Sequence, residues 1–383
     1  HPGYGFLSEN AAFARACAAQ GLVFVGPPGE AIDEMGDKAR ARERMRGAGV
    51  PVVPGSEGTV ATVAEALARA ETIGYPVILK AAAGGGGIGM VPVEEPKRME
   101  KAFRRAADRA GSSFGSADLY VEKYLHHPRH IEVQVFADRF GDVVHLHERE
   151  CSIQRRHQKI IEETPSPLFA DGAHADVRAA MFEAATRATR TLGYQGAGTI
   201  EFLVDADANF YFIEMNTRLQ VEHTVTEQVT GLDLVEAQLR VAAGEPLPFR
   251  QEDVRPLGHS IQLRIYAEDP ARQFLPSPGR IVRYVRPAGP GIRLDCGVDE
   301  GFEISAFYDP MIAKLVGHGE SRAHAIERLV EALDGYTIDG IRTNIEFHRE
   351  ALASERFRRG ELATDFVDDL IRRRPKVQEE DER

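Results

Sequence analysis

The stretch F-I-E-M-N-T-R-L-Q-V-E-H at 212–223 places Glu214, Asn216, Arg218, Gln220 and Glu222 at every second position. Met215, Thr217, Leu219 and Val221 fill the positions between. Read as an extended segment, the alternation puts the five polar groups on one face, because successive strand side chains point to opposite sides. A solvated edge strand alternates too, but Thr and Lys usually dominate its wet face. Here the row holds two carboxylates, two amides and a guanidinium, with His223 next in line. Carboxylates and amide oxygens are good Mg²⁺ ligands, and an Arg beside them holds an anion. The residue types predict a nucleotide–metal site next to an oxyanion substrate.

Just upstream, 199–204 and 210–214 read as a hairpin closed by a polar turn at 205–209. A register in which opposing positions sum to about 415 places Glu201 across from Glu214 on one face. Two carboxylates so paired repel unless a metal sits between them.

The rest of the chain reads as α/β (α+β). Helices are expected at 10–20, 30–48, 62–73, 97–109, 173–192 and 322–333. Strands are expected at 22–25, 77–79, 119–124, 131–136 and 143–150. The strand ending at Lys80 runs into A-A-A-G-G-G-G-I-G-M, a loop whose glycines let backbone N–H groups close on phosphate oxygens. It is neither a Walker A loop nor a dinucleotide fingerprint. Its place on a small lobe predicts a lid over phosphates.

Composition narrows the partners. The 383 residues carry a net charge of −12, which argues against nonspecific binding to nucleic acid or anionic membranes. No run approaches membrane-spanning length, and Cys17, Cys151 and Cys296 lack disulfide or metal spacing, as suits a cytoplasmic protein. Lys is scarce against Arg, yet Lys38, Lys80, Lys123 and Lys159 all fall inside motif-like segments. A compact ammonium suits phosphate oxygens in a way Arg does not reproduce.

Taken in order, the motifs resemble the biotin carboxylases of the ATP-grasp superfamily. They are H-P-G-Y-G-F-L-S-E-N at His1, M-G-D-K at Met35, G-Y-P-V-I-L-K-A-A-A-G-G-G-G at Gly74, E-K-Y-L at Glu122 and P-R-H-I-E-V-Q at Pro128. C-S-I-Q-R-R-H-Q-K at Cys151, G-A-G-T-I-E-F at Gly196, the opening stretch, R-I-Y-A-E-D-P at Arg264 and F-L-P-S-P-G at Phe274 follow. The match runs from His1 to about Phe366. It implies an ATP-grasp fold with a truncated N-terminal Rossmann-like subdomain at 1–52 and a glycine-loop lid at 53–124. A core with the metal and bicarbonate site at 125–257, a C-terminal biotin carboxylase domain at 258–366 and a charged tail at 367–383 complete it.

The resemblance implies ATP-dependent carboxylation of biotin with bicarbonate through carboxyphosphate, the first half-reaction of an acetyl-CoA or other acyl-CoA carboxylase. By matching position, Lys38, Lys80, Gly86, Gly87 and His130 would contact ATP, with Glu122, Lys123, Tyr124 and Leu125 lining the adenine. His157 and Leu203 would lie near the nucleotide. Glu201, Glu214 and Asn216 would hold two Mg²⁺ or Mn²⁺ ions. Lys159, Arg218, Gln220, Val221 and Glu222 would surround bicarbonate, with Glu222 as base and Arg218 steadying the anion. Arg264 would support the biotin enolate, and Tyr4 would lie near the biotin end. Outside the resemblance, Arg264 reads as a partner for Glu268 or Asp269, and Arg155-Arg156 as a solvated pair.

Three departures stand out. Ile88 replaces a basic residue usual in the glycine loop, and Thr224 replaces a usual Pro. The family also begins with a further α/β segment, so an N-terminal piece is expected ahead of His1. No biotin-attachment motif follows Asp365, so the expected carrier is a separate biotin carboxyl carrier protein, with carboxyltransferase subunits and a homodimer around Arg293. The alternatives are another ATP-grasp carboxylate ligase, such as a carbamoyl phosphate synthetase, and an inactive ATP-binding fragment.

Overall fold

The expected hairpin forms, but its register depends on one extra residue. The computed structural model describes residues 1–81, 90–156 and 158–374, without the side chain of Phe114. The glycine loop with Gly86, Gly87 and Ile88, and also His157, lie outside the described residues. By Cα packing the chain forms two units, His1–Glu150 with Glu163–Gly258, and Cys151–Glu162 with His259–Arg383.

In the first unit three short helices come first: α1 (Ala11–Ala19), α2 (Gly29–Gly36) and α3 (Lys38–Gly47). The helix expected at 30–48 is therefore two. Gly36 weakens the helix, and Asp37 leaves helical geometry to accept hydrogen bonds from the Ala39 and Arg40 backbone N–H groups at 3.0 and 2.9 Å. No strand forms at 22–25, where Leu22 and Val23 are exposed and no strand among the described residues pairs with them.

A small sheet follows, made of β1 (Val77–Ala81) between β2 (Val91–Val93) and β3 (Leu119–Lys123). It is backed by α4 (Val63–Ile73) and α5 (Met99–Phe114). Buried Ala66, Ala70, Ala102, Ala106 and Ala110 let these helices approach the valines and leucines of the strands.

The larger sheet of this unit runs β5-β4-β7-β8, from β4 (Arg129–Ala137), β5 (Val143–Arg155), β7 (Gly196–Val204) and β8 (Phe210–Asn216). Both β5 and β6 (Gln158–Thr164) contribute residues to the second unit as well. Helix α6 (Ala175–Thr191) packs on β4, placing Met181, Ala184, Ala185 and Ala188 against Ile131, Val133, Val135, Ile200 and Phe202.

Near its turn the hairpin pairs Val204 with Phe210 and Phe202 with Phe212. The register then shifts, and Glu201 pairs with Glu214, Ile200 with Met215 and Thr199 with Asn216. Ile213 is the residue left over. Such a bulge re-aims every side chain beyond it. Phe212 and Glu214, two apart, consequently face opposite sides: Phe212 joins the apolar core and Glu214 stands beside Glu201. The same registers pair Arg149 with Glu132 and Glu132 with Glu201. One rung of the sheet thus reads Arg149, Glu132, Glu201, Glu214.

The strand ends at Asn216 rather than running to His223. The chain bends through 217–222 and enters α7 (His223–Thr230), followed by α8 (Leu234–Ala242). The alternation is therefore strand only at its start.

In the second unit β9 (His259–Tyr266) pairs antiparallel with Met311–Gly319, which pairs in turn with Ile292–Cys296. The helix Arg322–Gly335 packs on these strands, burying Ala325, Ile326, Leu329 and Leu333 with Ile261, Leu263 and Leu315. Phe103 packs against the small-lobe core, as the sequence suggests.

Phe212 is buried in the core on the far side of the bulge from Glu214. Phe212→Ala is expected to destabilise the first unit by about 3–5 kcal/mol, read by urea denaturation. A loss below about 1 kcal/mol would contradict the packing of Phe212 in that core.

Candidate active site

Within the first unit the charged rung supplies the centre of the site. Glu132, Glu201 and Glu214 stand on adjacent strands, and like charges directly across a sheet repel. Each has a cationic or N–H partner. Arg149 Nε donates to Glu132 at 2.6 Å. His130 Nε2 lies 2.7 Å from Glu201 Oε2. Lys38 Nζ lies 3.5 Å from Glu214 Oε2, placed there because Asp37 caps α3 and fixes its first residue. The Arg40 backbone N–H chiefly holds the Asp37 carboxyl below its usual range.

Glu201 gathers more donors. Its Oε1 accepts from Asn216 Nδ2 at 2.7 Å and from Gln220 Nε2 at 2.8 Å. Asn216 Oδ1 accepts from Arg218 Nη2 at 2.9 Å. The bend after β8 thus returns Arg218 and Gln220 to the strand's polar face although the strand has ended. Glu201, Glu214 and Asn216 carry oxygen atoms of the kind Mg²⁺ or Mn²⁺ takes, although here the Asn216 amide turns its NH₂ to Glu201 and its oxygen to Arg218. The possible ligand atoms of His130, Glu132 and Glu201 all lie within 4.8 Å of one another.

Glu222 is buried at the start of α7, where its side chain makes no capping bond, and Val221 is half-buried beside it. His223 Nδ1 bonds the Gln220 carbonyl at 2.7 Å, tightening this turn. Arg218 Nε donates to Glu9 Oε2 at 3.0 Å, and the Thr217 N–H donates to Glu9 Oε1 at 2.9 Å. Glu9 was not legible as a site residue, since its partners lie over two hundred positions away.

On the small sheet Lys80 and Arg42 both ion-pair with Glu122, which is 3% exposed. Arg42 also donates to the Val53 carbonyl at 2.7 Å. The Glu122 carboxylate is thereby committed to cations. Lys123 Nζ is likewise tied to the Gly74 and Tyr75 carbonyls at 2.9 and 3.1 Å. The Tyr124 N–H donates to the Pro76 carbonyl, and Leu125 is half-buried. Leu203 pairs with His130 across β7 and β4. Tyr4 is partly exposed. Burial lowers the Lys80 ammonium to about 8, with Arg42 and Lys38 pushing the same way and Glu214 opposing them.

In the second unit Arg264, on β9, donates through Nε to Glu162 Oε1 at 2.5 Å, and Gln262 donates to Glu162 Oε2 at 2.9 Å. Glu162, not Glu268 or Asp269, is thus its carboxylate. Glu268 instead takes Arg155 Nη2 at 2.8 and 2.9 Å, and Arg155 also lies 4.7 Å over the Phe274 ring. Arg155 is therefore no solvated charge, because a guanidinium packs and pairs at once. The Arg264 carbonyl accepts from Asn344 Nδ2 at 2.9 Å and lies 2.8 Å from His348 Nε2. Burial drives His348 down to about 4, so its neutral imidazole donates that bond. Lys159 is half-buried on β6.

Known proteins similar to this chain identify its family. Residues 1–32 match the biotin carboxylase N-terminal domain family and residues 262–369 its C-terminal domain family. Residues 37–250 match the ATP-binding domain of the carbamoyl-phosphate synthase L chain. Biotin carboxylase 2 of Bacillus subtilis is 51% identical over 367 residues, 96% of this chain and 82% of that protein. The mitochondrial propionyl-CoA carboxylase alpha chain of Homo sapiens is 49% identical over 97% of this chain and 50% of its own length. A biotin carboxylase from Campylobacter jejuni, solved as a β,γ-ATP complex, superposes with a TM-score of 0.90 at 48% identity, covering 96% of this chain and 81% of that one. The biotin carboxylase domain dimer of the Hydrogenobacter thermophilus 2-oxoglutarate carboxylase, solved with MgADP, ADP and bicarbonate, also gives 0.90, at 46% identity over 97% of this chain and 82% of that one. The fold is that of an ATP-grasp ligase. The chain belongs to the biotin carboxylase family of ATP-dependent carboxylases.

Lys80 provides a pH test. Phosphate favours the ammonium, which the free protein loses as pH rises through about 8. ADP affinity measured calorimetrically is expected to fall several-fold between about pH 7 and about pH 9.5, with proton uptake on binding at the upper end. An affinity flat across that range would contradict a phosphate contact at Lys80.

Proposed function

We infer that this chain carboxylates biotin at the expense of ATP, taking the carboxyl group from bicarbonate. The observation that carries the reading is the convergence on Glu201: His130, Asn216 and Gln220 all bond its carboxylate, with Glu214 across the strand pair and Arg218 on Asn216. Relatives named biotin carboxylase, about half identical over nearly the whole chain, support it.

In this reading Lys38, Lys80 and His130 meet the ATP phosphates or ribose, and the 122–125 segment lines the adenine. Glu201, Glu214 and Asn216 hold Mg²⁺ or Mn²⁺, which when bound neutralises charge on the phosphates during transfer. Arg218, Gln220 and the Val221 backbone seat bicarbonate, with Lys159 as a further cation. Glu222 takes the bicarbonate proton, since bicarbonate is a poor nucleophile until it loses it. The resulting oxyanion attacks the γ-phosphorus, and the bond from that phosphorus to the β,γ-bridging oxygen breaks. Carboxyphosphate and ADP are the products. Biotin N1′ then passes its proton to a phosphate oxygen of carboxyphosphate and bonds the carboxyl carbon, whose bond to the bridging phosphate oxygen breaks, releasing inorganic phosphate. Arg264 stabilises the enolate-like ureido oxygen by charge-assisted hydrogen bonding, with Glu162 fixing the guanidinium. Tyr4 belongs to the biotin end.

The biotin is held on a carboxyl carrier, and carboxyltransferase subunits pass the carboxyl group to an acyl-CoA. A homodimer with Arg293 near its contact is the proposed assembly, in line with the dimeric Hydrogenobacter thermophilus domain. No helix among the described residues is long and apolar enough to cross a membrane. Cys17, Cys151 and Cys296, none of them in a disulfide, support a cytoplasmic setting.

Glu222→Gln keeps the shape of the base and removes its proton affinity. Bicarbonate-dependent ADP release is expected to fall by about 10²–10⁴-fold, with ATP binding retained within about threefold. Equal loss of both would reject the role of Glu222.

A further inference from the structure

Arg149 is the largest fully buried side chain among the described residues, with 0% exposure. Its five N–H donors each find an oxygen. Nε donates to Glu132 Oε1 at 2.6 Å; Nη1 donates to Gln134 Oε1 at 2.6 Å and Thr226 Oγ1 at 3.1 Å. Nη2 donates to Thr199 Oγ1 at 3.2 Å and Gln220 Oε1 at 2.7 Å. One guanidinium therefore ties β4, β5 and β7 to the turn that carries Gln220 and to the helix that follows Glu222.

Burying a guanidinium costs several kcal/mol in desolvation, and an apolar side chain of similar volume often stabilises a fold as well or better. What the charge adds is orientation. The amide of Gln220 has nearly the same shape whichever way it is turned, but Arg149 offers donors alone. The Gln220 oxygen must face Arg149, which turns its NH₂ toward Glu201 Oε1 at 2.8 Å. Reversed, the amide oxygen would face the Glu201 carboxylate. Arg149, which only donates, and Glu201, which only accepts, thus hold the Gln220 amide in one sense from its two sides. Gln134 is locked in the same sense, its NH₂ donating to the Gly198 carbonyl at 2.8 Å and its oxygen accepting from Arg149.

We propose that Arg149 is a positioning residue that acts through Gln220, setting the amide so that the bicarbonate seat and the Glu201 centre are correctly polarised. The inference rests on the assignment of Gln220 to bicarbonate in the proposed function. Arg149→Lys keeps the charge but loses the planar fork that reaches Glu132 and Gln220 together.

The test is a double-mutant cycle of Arg149→Lys and Gln220→Ala, assayed by ADP release with free biotin, and by calorimetric ATP affinity as a separate readout. Arg149→Lys alone is expected to raise KM for bicarbonate by about tenfold or more, leaving ATP affinity within about twofold. In the Gln220→Ala background the same change is expected to add less than about threefold, because the group it acts through is gone. If Gln220→Ala raises KM for bicarbonate and Arg149→Lys adds its full effect to it, the inference is overturned alone. It is equally overturned if Arg149→Lys weakens ATP binding by the same factor as bicarbonate use. If Gln220→Ala leaves KM for bicarbonate unchanged, the assignment of Gln220 fails, and the inference with it. Should Arg149→Lys not fold, Thr199→Val loosens Nη2 without removing the guanidinium. A smaller rise in KM for bicarbonate, absent in the Gln220→Ala background, is then expected, and an undiminished one would overturn the inference.

Discussion

The site depends on the register of β7 against β8, and that register turns on Ile213. Without the extra residue, the pairing set at the turn would place Ile213 opposite Glu201 and send Glu214 toward the apolar core occupied by Phe202, Phe212 and Met215. With it, Glu201 and Glu214 stand side by side on the polar face. An apolar layer on one side and a row of carboxylates on the other leave little freedom for slippage, because a one-residue shift exchanges the two faces. The same apolar layer that holds the sheet together therefore holds the carboxylates in place.

A row of three carboxylates on neighbouring strands is costly unless positive charge or N–H donors meet it. In the free protein they come from both ends and the middle: Arg149 on Glu132, His130 on Glu201 and Lys38 on Glu214. The Glu214 end differs in kind. Lys38 and Glu214 are both partly exposed, so solvent screens that pair, whereas Arg149 and Glu132 are wholly buried. The exposed end is where a divalent cation and phosphates would be received, and the buried end is where the framework is fixed. On the small sheet Glu122 bonds both Arg42 and Lys80, holding two cations close together beside the strand that leads into the glycine loop.

Much of this was legible in the chain. Glu201 and Glu214 are expected as partners across the hairpin, and the structure pairs them. The bulge that makes the pairing possible was not read, although a signal existed. Phe210, Phe212 and Met215 break the two-residue period, as they must if an extra residue lies between Phe212 and Met215. Alternation beyond Asn216 does not mark a strand, since residues 217–222 form a bend; the polar groups return through hydrogen bonds to Asn216 and Glu201 instead of through pleating. Arg42, Glu9, Arg149 and Glu162 escaped notice for another reason. Each is an ordinary charged residue by local pattern, and its meaning lies in a partner brought close only by tertiary packing, as Glu9 is to Arg218. The break at Asp37 was readable in principle, because a Gly-Asp pair inside a helical run is a cap signal.

The direct question is whether Glu201 and Glu214 together hold the divalent cation. Electron paramagnetic resonance of Mn²⁺, titrated in the presence of ADP, answers it by separating bound from free ion. Tight, nucleotide-dependent Mn²⁺ binding is expected for the unaltered protein, and its loss in the Glu201→Gln, Glu214→Gln double variant despite a retained fold by circular dichroism. Undiminished Mn²⁺ binding in that variant would contradict the assignment.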